Sequence, residues 1–167
     1  MSKTELPPFQ SFLEEHRRPV LGFLRAMVGP DEADDCFQET FLAALRAYPR
    51  ANGRNLRAWV LTIARRRAID HHRARARRPR PVAEPETFAG ATEPDGLGGG
   101  EMWSRAAELS AGQRAALALR FAADLPYREI GAALGTSEAA ARRRVHDGLE
   151  ALRERLATTS KENQENP

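Results

Sequence analysis

The first part of the chain repeats apolar residues every three or four positions, which is the spacing of one helix face. The first such face consists of Phe9, Phe12, Leu13, Val20, Leu21, Leu24, Met27 and Val28. His16 is a polar interruption of this face, and Gly29-Pro30 ends the helix. The pattern therefore predicts a long amphipathic helix from residue 9.

Two further helices follow in the same half of the chain. Asp31 is the expected cap of the second helix, and Pro49 prevents it from continuing. The apolar positions of this second helix are Phe37, Phe41, Leu45 and Tyr48. Asn55 is the expected cap of the third helix, whose apolar face then gives way to a run of arginines. That third face consists of Leu56, Trp59, Val60, Ile63 and Ala64.

The last third of the chain carries a second set of helix signals. Ser110 and Gln113 form a capping-box pattern before an Ala- and Leu-rich stretch. Pro126 is suited to the first position of a short helix that Gly135 ends, and Ser137 caps a last helix predicted to reach about residue 156. Two helices joined by so short a turn form a helix-turn-helix pattern. The polar residues 157–167 are expected to be disordered.

Composition supports an all-α fold of two small helical domains. The 167 residues include 29 alanines and 17 leucines but only 8 valines and isoleucines together, which argues against a sheet-based fold. The sequence predicts neither a membrane-spanning run nor a secretory signal, so we expect a cytoplasmic protein without membrane insertion. The single cysteine, Cys36, is expected to be a buried apolar residue rather than a redox group.

Charge is distributed unevenly and marks the domain boundary. Between positions 65 and 80 there are eight arginines and one acid, Asp70. The following segment is rich in Pro, Gly and Glu, which is typical of a flexible linker. We therefore predict a first domain over 9–78, a linker over 79–100 and a second domain over 101–156.

No catalytic or metal-binding motif is recognisable. The four histidines do not stand in HExxH spacing or beside a second cysteine, and no phosphate-binding glycine loop follows a strand. We expect a protein that is not an enzyme and that uses no metal or cofactor.

Two features point to nucleic acid. The arginine run could neutralise phosphates and release counterions, although such runs are often only solvated surface. In the last helix, Arg142, Arg143 and Arg144 fall in the N-terminal half, which a recognition helix presents to the major groove. The apolar residues of that helix lie on another face, so packing and DNA binding are compatible.

At this point the chain resembles a known family. Residues 34–42 (DDCFQETFL) and 56–65 (LRAWVLTIAR) through Asp70 resemble region 2 of the extracytoplasmic-function (ECF) sigma factors of the sigma-70 family. Residues 125–135 (LPYREIGAALG) and 137–146 are similar to the region 4 helix-turn-helix. The resemblance implies an RNA polymerase sigma factor that binds core polymerase and promoter DNA and that directs promoter-specific initiation, with an anti-sigma factor as an expected partner.

The resemblance also implies residue roles in the first domain. The expected core-polymerase contacts are Asp34, Asp35, Phe37, Gln38, Glu39, Phe41 and Leu42. An acidic helix suits a basic protein surface better than DNA, while the two phenylalanines fit core packing at least as well. The expected contacts to the proximal promoter element are Arg54, Asn55, Arg57, Trp59, Arg65, Arg66, Arg67, Asp70 and Arg73. Trp59 lies on the apolar face, so a core role is favoured and the preceding loop is the better candidate for capturing a base.

The second domain would read the distal element as duplex DNA. Its expected contacts are Tyr127, Arg128, Thr136, Ser137, Glu138, Ala139, Arg142, Arg143, Arg144 and His146. Asp147 and Gly148 depart from the family pattern, because an acid repels phosphate and glycine weakens a helix. Two alternatives stay open: a helix-turn-helix regulator that acts without polymerase, and an interaction protein that has lost DNA binding.

Overall fold

The computed structural model describes residues 5–78 and 100–165, and every regular element within these ranges is helical. The first half contains α1 (Phe9–Val28), α2 (Pro30–Ala47), a 3₁₀ turn (Tyr48–Arg50) and α3 (Leu56–Arg77). The second half contains α4 (Gly100–Ala106), α5 (Ala111–Leu117), a π-helical turn (Ala118–Ala122), α6 (Tyr127–Leu134) and α7 (Glu138–Glu165). The predicted all-α fold in two helical units is confirmed. The predicted linker, 79–100, lies outside the described residues except for its last residue.

The predicted caps of the later helices are confirmed. The Asn55 side chain accepts a hydrogen bond from the Ala58 N–H at 3.0 Å, and Ser137 accepts one from the Ala140 N–H at 3.1 Å. Ser110 does the same for Gln113 at 3.3 Å. Gly135 ends α6 in the left-handed conformation with φ of 64°. These short polar contacts fix the start of α3 and the turn between α6 and α7.

Two boundaries differ from the prediction. Asp31 does not cap α2, because the helix already begins at Pro30 with Gly29 at its N-cap, which places Asp31 inside the first turn. Proline at the first helical position explains this, since its missing N–H needs no partner there. The last helix continues to Glu165, past the end predicted near residue 156 and into the segment expected to be disordered.

Phe12 is the centre of the first half. Its ring is fully buried and lies 4.9 Å from the rings of His16 and Tyr48, 5.8 Å from that of Trp59 and 6.0 Å from that of Phe41. Edge and tilted contacts of this kind join the three helices. Trp59 is thus a core contact, as its position on the apolar face indicated.

Cys36 is buried on α2 with its side chain 2% exposed. Burial, together with the negative charges of Glu39, Glu32 and Asp35, raises the pKa of its thiol to about 11. The thiolate is the reactive form of cysteine, so this side chain is chemically quiet at neutral pH. The packing role predicted for Cys36 is confirmed.

The two halves pack against each other. The Arg114 Nε on α5 donates to the Ala26 carbonyl at the end of α1 at 3.0 Å, and Arg57 on α3 donates to the Ala123 carbonyl. In addition α1 packs against the π-helical turn and α3 against α6. Arginines from both halves therefore bind backbone carbonyls of the other half, which fixes how the units meet.

Candidate functional site

An acidic surface with exposed leucines covers the outer side of α2. Asp34, Asp35, Gln38 and Glu39 are exposed, and the Leu42 side chain is 54% exposed. Leu45, one turn further on, is 49% exposed and was assigned to the packed face by periodicity. We call Asp34, Asp35, Gln38, Glu39, Leu42 and Leu45 the α2 face. Two large apolar side chains among acids are typical of a surface that binds another protein.

The two phenylalanines predicted to join this surface differ in position. Phe41 is only 5% exposed and packs against Phe12 and Phe37, with ring centroids 6.0 and 4.7 Å apart. Phe37 is half-buried. In this structure the Phe41 ring is enclosed by α1 and α2 and supports the α2 face from beneath, so its direct contact with a partner stays a prediction.

The loop before α3 forms one wall of a cavity of about 280 Å³. The lining residues are Asn52, Arg54, Asn55, Ala58, Trp59, Thr62 and, from α6, Ala132. Arg54 is exposed and its backbone N–H bonds the Asn52 side chain at 3.3 Å. Asn52, Asn55, Arg54 and Trp59 thus line one concave site. Asn52 and Thr62 were missed by sequence analysis, since neither carries a charge or a periodic signal.

The arginines of α3 divide into two groups. Arg66 and Arg73 are exposed, as is Asp70, while Arg65 and Arg67 are half-buried. Burial lowers the pKa of Arg65, and the positive charges of Arg144 and Arg66 lower it further. Arg65 of α3 and Arg144 of α7 are therefore close neighbours in this arrangement.

Arg57 is half-buried rather than free to bind DNA. Its guanidinium donates to the Ala123 carbonyl of the second half, and its Nε is buried without a hydrogen-bond partner. The sequence predicted a promoter contact here. In the packed arrangement this side chain is occupied by the contact between the halves, so the promoter contact stays a prediction that requires the halves to separate.

The basic side chains of α7 carry acidic partners four residues away. Arg142 pairs with Glu138 at 3.1 Å, Arg143 with Asp147 at 3.7 Å and His146 lies 3.6 Å from a Glu150 oxygen. All three basic side chains are largely exposed. Exposed pairs of this type are weak, so phosphate can compete for the cations. Asp147 thus has a structural partner in Arg143.

The remaining predicted distal contacts surround the turn between α6 and α7. Arg128, Ser137, Glu138 and Ala139 are exposed, whereas Tyr127, Thr136 and Arg144 are half-buried. The Thr136 N–H bonds the Gly131 carbonyl at 2.8 Å, which closes the turn. A cavity of about 600 Å³ lies beside it, lined by Tyr127, Ala139, Arg142, Arg143, Val145, His146 and Leu149. Arg142, Arg143 and His146 therefore lie together on one side of the α6–α7 unit.

Gly131 is required for this turn. A Cβ at position 131 would lie 2.9 Å from the Thr136 carbonyl oxygen and 3.0 Å from the Ser137 carbonyl carbon. Both atoms are backbone and cannot move without displacing the start of α7. A glycine here sets the close approach of the two helices, which sequence analysis did not detect.

Other kinds of site have little support. Among the described residues, no three His, Cys, Asp or Glu side chains are arranged to hold a metal ion. No helix within 5–78 or 100–165 combines the length and apolar character needed to cross a bilayer.

Comparison with known proteins identifies both halves. Residues 12–78 match the family model Sigma-70 region 2, and residues 106–154 match Sigma-70, region 4. The chain is 33% identical over 155 residues to the ECF RNA polymerase sigma factor SigC of Mycobacterium tuberculosis, spanning 86% of this chain and 80% of that protein. It is 34% identical over 137 residues to ECF RNA polymerase sigma factor SigF of Caulobacter vibrioides, spanning 80% and 76% respectively.

Solved structures show the same fold. The sigma factor RpoE from Bartonella quintana, solved with the anti-sigma factor NepR, superposes with a TM-score of 0.69 at 24% identity, over 89% of this chain and 96% of that chain. CnrH, solved with the cytosolic domain of CnrY, gives 0.67 at 22% identity, over 90% and 88%. At these identities the likeness concerns the fold.

Helical regions 2 and 4 in this order define a sigma factor of the sigma-70 type. The chain belongs to the ECF RNA polymerase sigma factors, which are not catalytic, and it directs transcription initiation. Region 2 distinguishes it from a helix-turn-helix regulator that acts without polymerase, so that alternative is set aside.

Proposed function

We propose that this sigma factor uses three separate surfaces to bind its three targets. The α2 face binds core polymerase, the loop before α3 together with the basic side of α3 binds the proximal promoter element, and the α6–α7 unit reads the distal element. The observation that carries this proposal is the separation of charge. The α2 face is acidic with exposed leucines, while the outward surfaces of α3 and α7 are rich in arginine.

The α2 face suits a basic protein partner. Carboxylates in such a contact speed association and align the partners. Apolar side chains that lose their water contribute most of the affinity. Leu42 and Leu45 supply the apolar part, and Asp35 and Gln38 lie beside them on the exposed side of the helix. Phe41 holds the helix in place from the core side.

Core binding tests this surface. Asp35→Ala, Gln38→Ala and Leu42→Ala should each weaken association with purified core polymerase, and combining them should cost more than any single change. Glu14→Ala on α1 is a matched control, since Glu14 is an exposed acid on another helix. Unchanged association of the triple variant, with its helical content intact, would reject the α2 face.

The loop cavity is suited to a base extruded from the proximal element. Asn52, Arg54 and Asn55 offer polar groups that can bond a base edge, and Trp59 supplies part of an apolar wall. The exposed arginines of α3 lie next to this site in sequence and can hold the adjoining phosphates. Ala132 of α6 also lines the cavity, so full access to it requires the halves to move apart.

Strand opening tests this site. Asn52→Ala and Arg54→Ala should reduce permanganate reactivity of unpaired thymines at the proximal element, while binding of core polymerase stays unchanged. Arg18→Ala, an exposed arginine of α1, is the matched control. Full reactivity in the double variant would mean that bases are captured elsewhere.

Distal recognition is assigned to the N-terminal half of α7. The Ser137 hydroxyl is engaged as the helix cap, so the exposed side chains of Arg142, Arg143 and His146 are the ones assigned to DNA. Arginine can donate two hydrogen bonds to guanine in the major groove. Arg144 is half-buried close to Arg65 in the packed arrangement, so its contact with DNA would follow separation of the halves.

Regulation by an anti-sigma protein in the cytoplasm is the remaining part of the proposal. Support comes from fold likeness to RpoE, which was solved with the anti-sigma factor NepR. A protein that copurifies with the tagged chain should inhibit transcription when it is added back to the wild-type holoenzyme. Copurifying proteins that leave transcription unchanged would argue against such a partner.

A further inference from the structure

Two arginines lie over the ring of Tyr127 at the start of α6. The guanidinium carbon of Arg142 is 4.6 Å from the ring centroid, and that of Arg120 is 5.2 Å from it. Both distances fall within the range in which a cation is attracted to an aromatic face. Tyr127 therefore links the π-helical turn, α6 and the N-terminal part of α7.

The two arginines are held to different degrees. Arg120 is half-buried and donates to the Leu125 carbonyl at 3.2 Å, so it belongs to the scaffold. Arg142 is 61% exposed, and besides the ring it pairs with the Glu138 carboxylate at 3.1 Å. An exposed arginine has many rotamers, and ordering it on DNA costs conformational entropy. A ring that restricts the guanidinium beforehand reduces that cost.

We propose that Tyr127 is a positioning residue for distal promoter recognition. Its ring holds the Arg142 guanidinium in the orientation that contacts DNA. The ring therefore helps to determine which base pair is preferred at the position that Arg142 contacts. This inference rests on the distal role proposed for α7. It assigns to the ring, rather than to the hydroxyl, the contribution of Tyr127 to binding.

Three roles for Tyr127 make different predictions. If the hydroxyl contacts phosphate directly, Tyr127→Phe weakens binding at every sequence equally. If the ring only packs, Tyr127→Leu changes stability without altering base preference. If the ring positions Arg142, Tyr127→Phe behaves as wild type, and Tyr127→Leu loses discrimination at one base pair.

The free protein gives the first measurement. In the wild type and in Tyr127→Phe, ring current should shift the side-chain proton resonances of Arg142 upfield, and Tyr127→Leu should remove that shift. Arg153, an exposed arginine of the same helix, is the matched control and should be unaffected in all three proteins. Absence of any shift in the wild type would overturn the proposal without reference to DNA.

The second measurement uses holoenzyme and a library of promoters randomised at the distal element. Tyr127→Leu should lower selection by roughly three- to tenfold at one base pair and leave the others unchanged. Arg142→Gln should remove the base preference at the same base pair. The double variant should lose no more selectivity than Arg142→Gln alone, because the effects of coupled residues are not additive. Arg153→Ala should have no effect.

The outcomes distinguish failure of the positioning role of Tyr127 from failure of distal recognition by α7. Additive losses in the double variant, or loss in Tyr127→Phe equal to that in Tyr127→Leu, would overturn the positioning role while distal recognition stands. No preference at any distal pair in the wild type would overturn the assignment of distal reading to α7 and the positioning role with it. If Tyr127→Leu melts well below the wild type, the Arg142 proton shifts in the wild type and in Tyr127→Phe still decide, because a ring that did not hold the Arg142 guanidinium would produce no upfield shift in either protein.

Discussion

Gly148 of α7 lies directly against Leu117 of α5. A Cβ at position 148 would be 3.1 Å from the Leu117 Cδ1 and 3.2 Å from its Cγ. The Leu117 side chain is itself 1% exposed and has little room to shift. Gly148 departs from the family pattern, and the close packing of these two helices gives a physical reason for it.

Gly148→Ala should therefore destabilise the protein despite alanine's better helix propensity. Overpacking costs about 1 to 3 kcal/mol, and the propensity gain of about 1 kcal/mol offsets only part of it. We expect a net loss of about 1 kcal/mol in urea unfolding. Gly112→Ala is the matched control, since nothing lies within 4 Å of its added methyl group, and it should be neutral or stabilising. A gain in stability for Gly148→Ala would mean that Leu117 relaxes freely.

The ion pairs of α7 predict opposite effects of two substitutions on DNA binding. Replacing Arg142, Arg143 and Arg144 by Ala should reduce the slope of log affinity against log salt by about 0.9 for each phosphate that these arginines neutralise. Asp147→Asn should instead strengthen binding roughly twofold, because it removes a negative charge and releases Arg143. Glu154→Gln, an exposed acid further along α7, is the control. An unchanged salt slope in the triple variant would exclude a phosphate role for these arginines.

The contacts between the halves predict a conformational change on promoter binding. Arg144 lies close enough to Arg65 to lower the pKa of Arg65, and Ala132 lines the cavity of the proximal loop. If these surfaces bind two separate promoter elements as proposed, they must move apart. The halves should therefore separate in the holoenzyme on DNA.

Energy transfer between dyes on the two halves measures this change. Arg17→Cys and Arg153→Cys, in a Cys36→Ser background, give exposed labelling sites. The distance should lengthen when core polymerase and promoter DNA are added. Arg114→Ala should increase the open fraction of the free protein, since a hydrogen bond from a charged donor contributes about 1.5 to 3 kcal/mol. The control Arg18→Ala should leave the open fraction unchanged. An unchanged distance between the dyes in the holoenzyme on promoter DNA would refute separation of the halves.

Burial of His16 should make the stability of the first half depend on pH in the acid range. Its side chain is 6% exposed and packs on Phe12, and desolvation lowers its pKa, with Glu15 acting in the opposite direction and Arg57 in the same one. A base whose pKa is lower in the folded state contributes stability that is full above about pH 6.5 and is lost as pH falls through the folded value. His16→Gln should reduce the loss of unfolding free energy as the pH falls below about 6.5. An identical pH profile in this variant would assign that loss to other groups.

The sequence predicted local features well because they depend on a few neighbouring residues. The caps at Asn55 and Ser137 and the stop at Gly135 each arise within one helical turn. Periodicity likewise placed Trp59 on the packed side of its helix, and the burial preference of cysteine placed Cys36 in the core.

Features that depend on distant residues were not predictable in this way. Leu45 fits the apolar spacing of α2 yet is exposed, while Phe41 was expected to contact a partner and is enclosed. Arg57 and Arg114 bind carbonyls of the opposite half, and nothing in local charge indicates which carbonyl an arginine will reach. The tight approach at Gly131 also becomes visible only when the turn is folded.

Promoter-specific initiation by the purified chain is the most direct test of its role as a sigma factor. The protein is added to core RNA polymerase lacking sigma factor on a library of genomic fragments, and transcript starts are sequenced. We predict aligned starts that share two upstream elements, that disappear when the α2 face is altered at Asp35, Gln38 and Leu42, and that persist in Glu14→Ala. Core binding by the wild-type chain with no aligned starts would contradict this role.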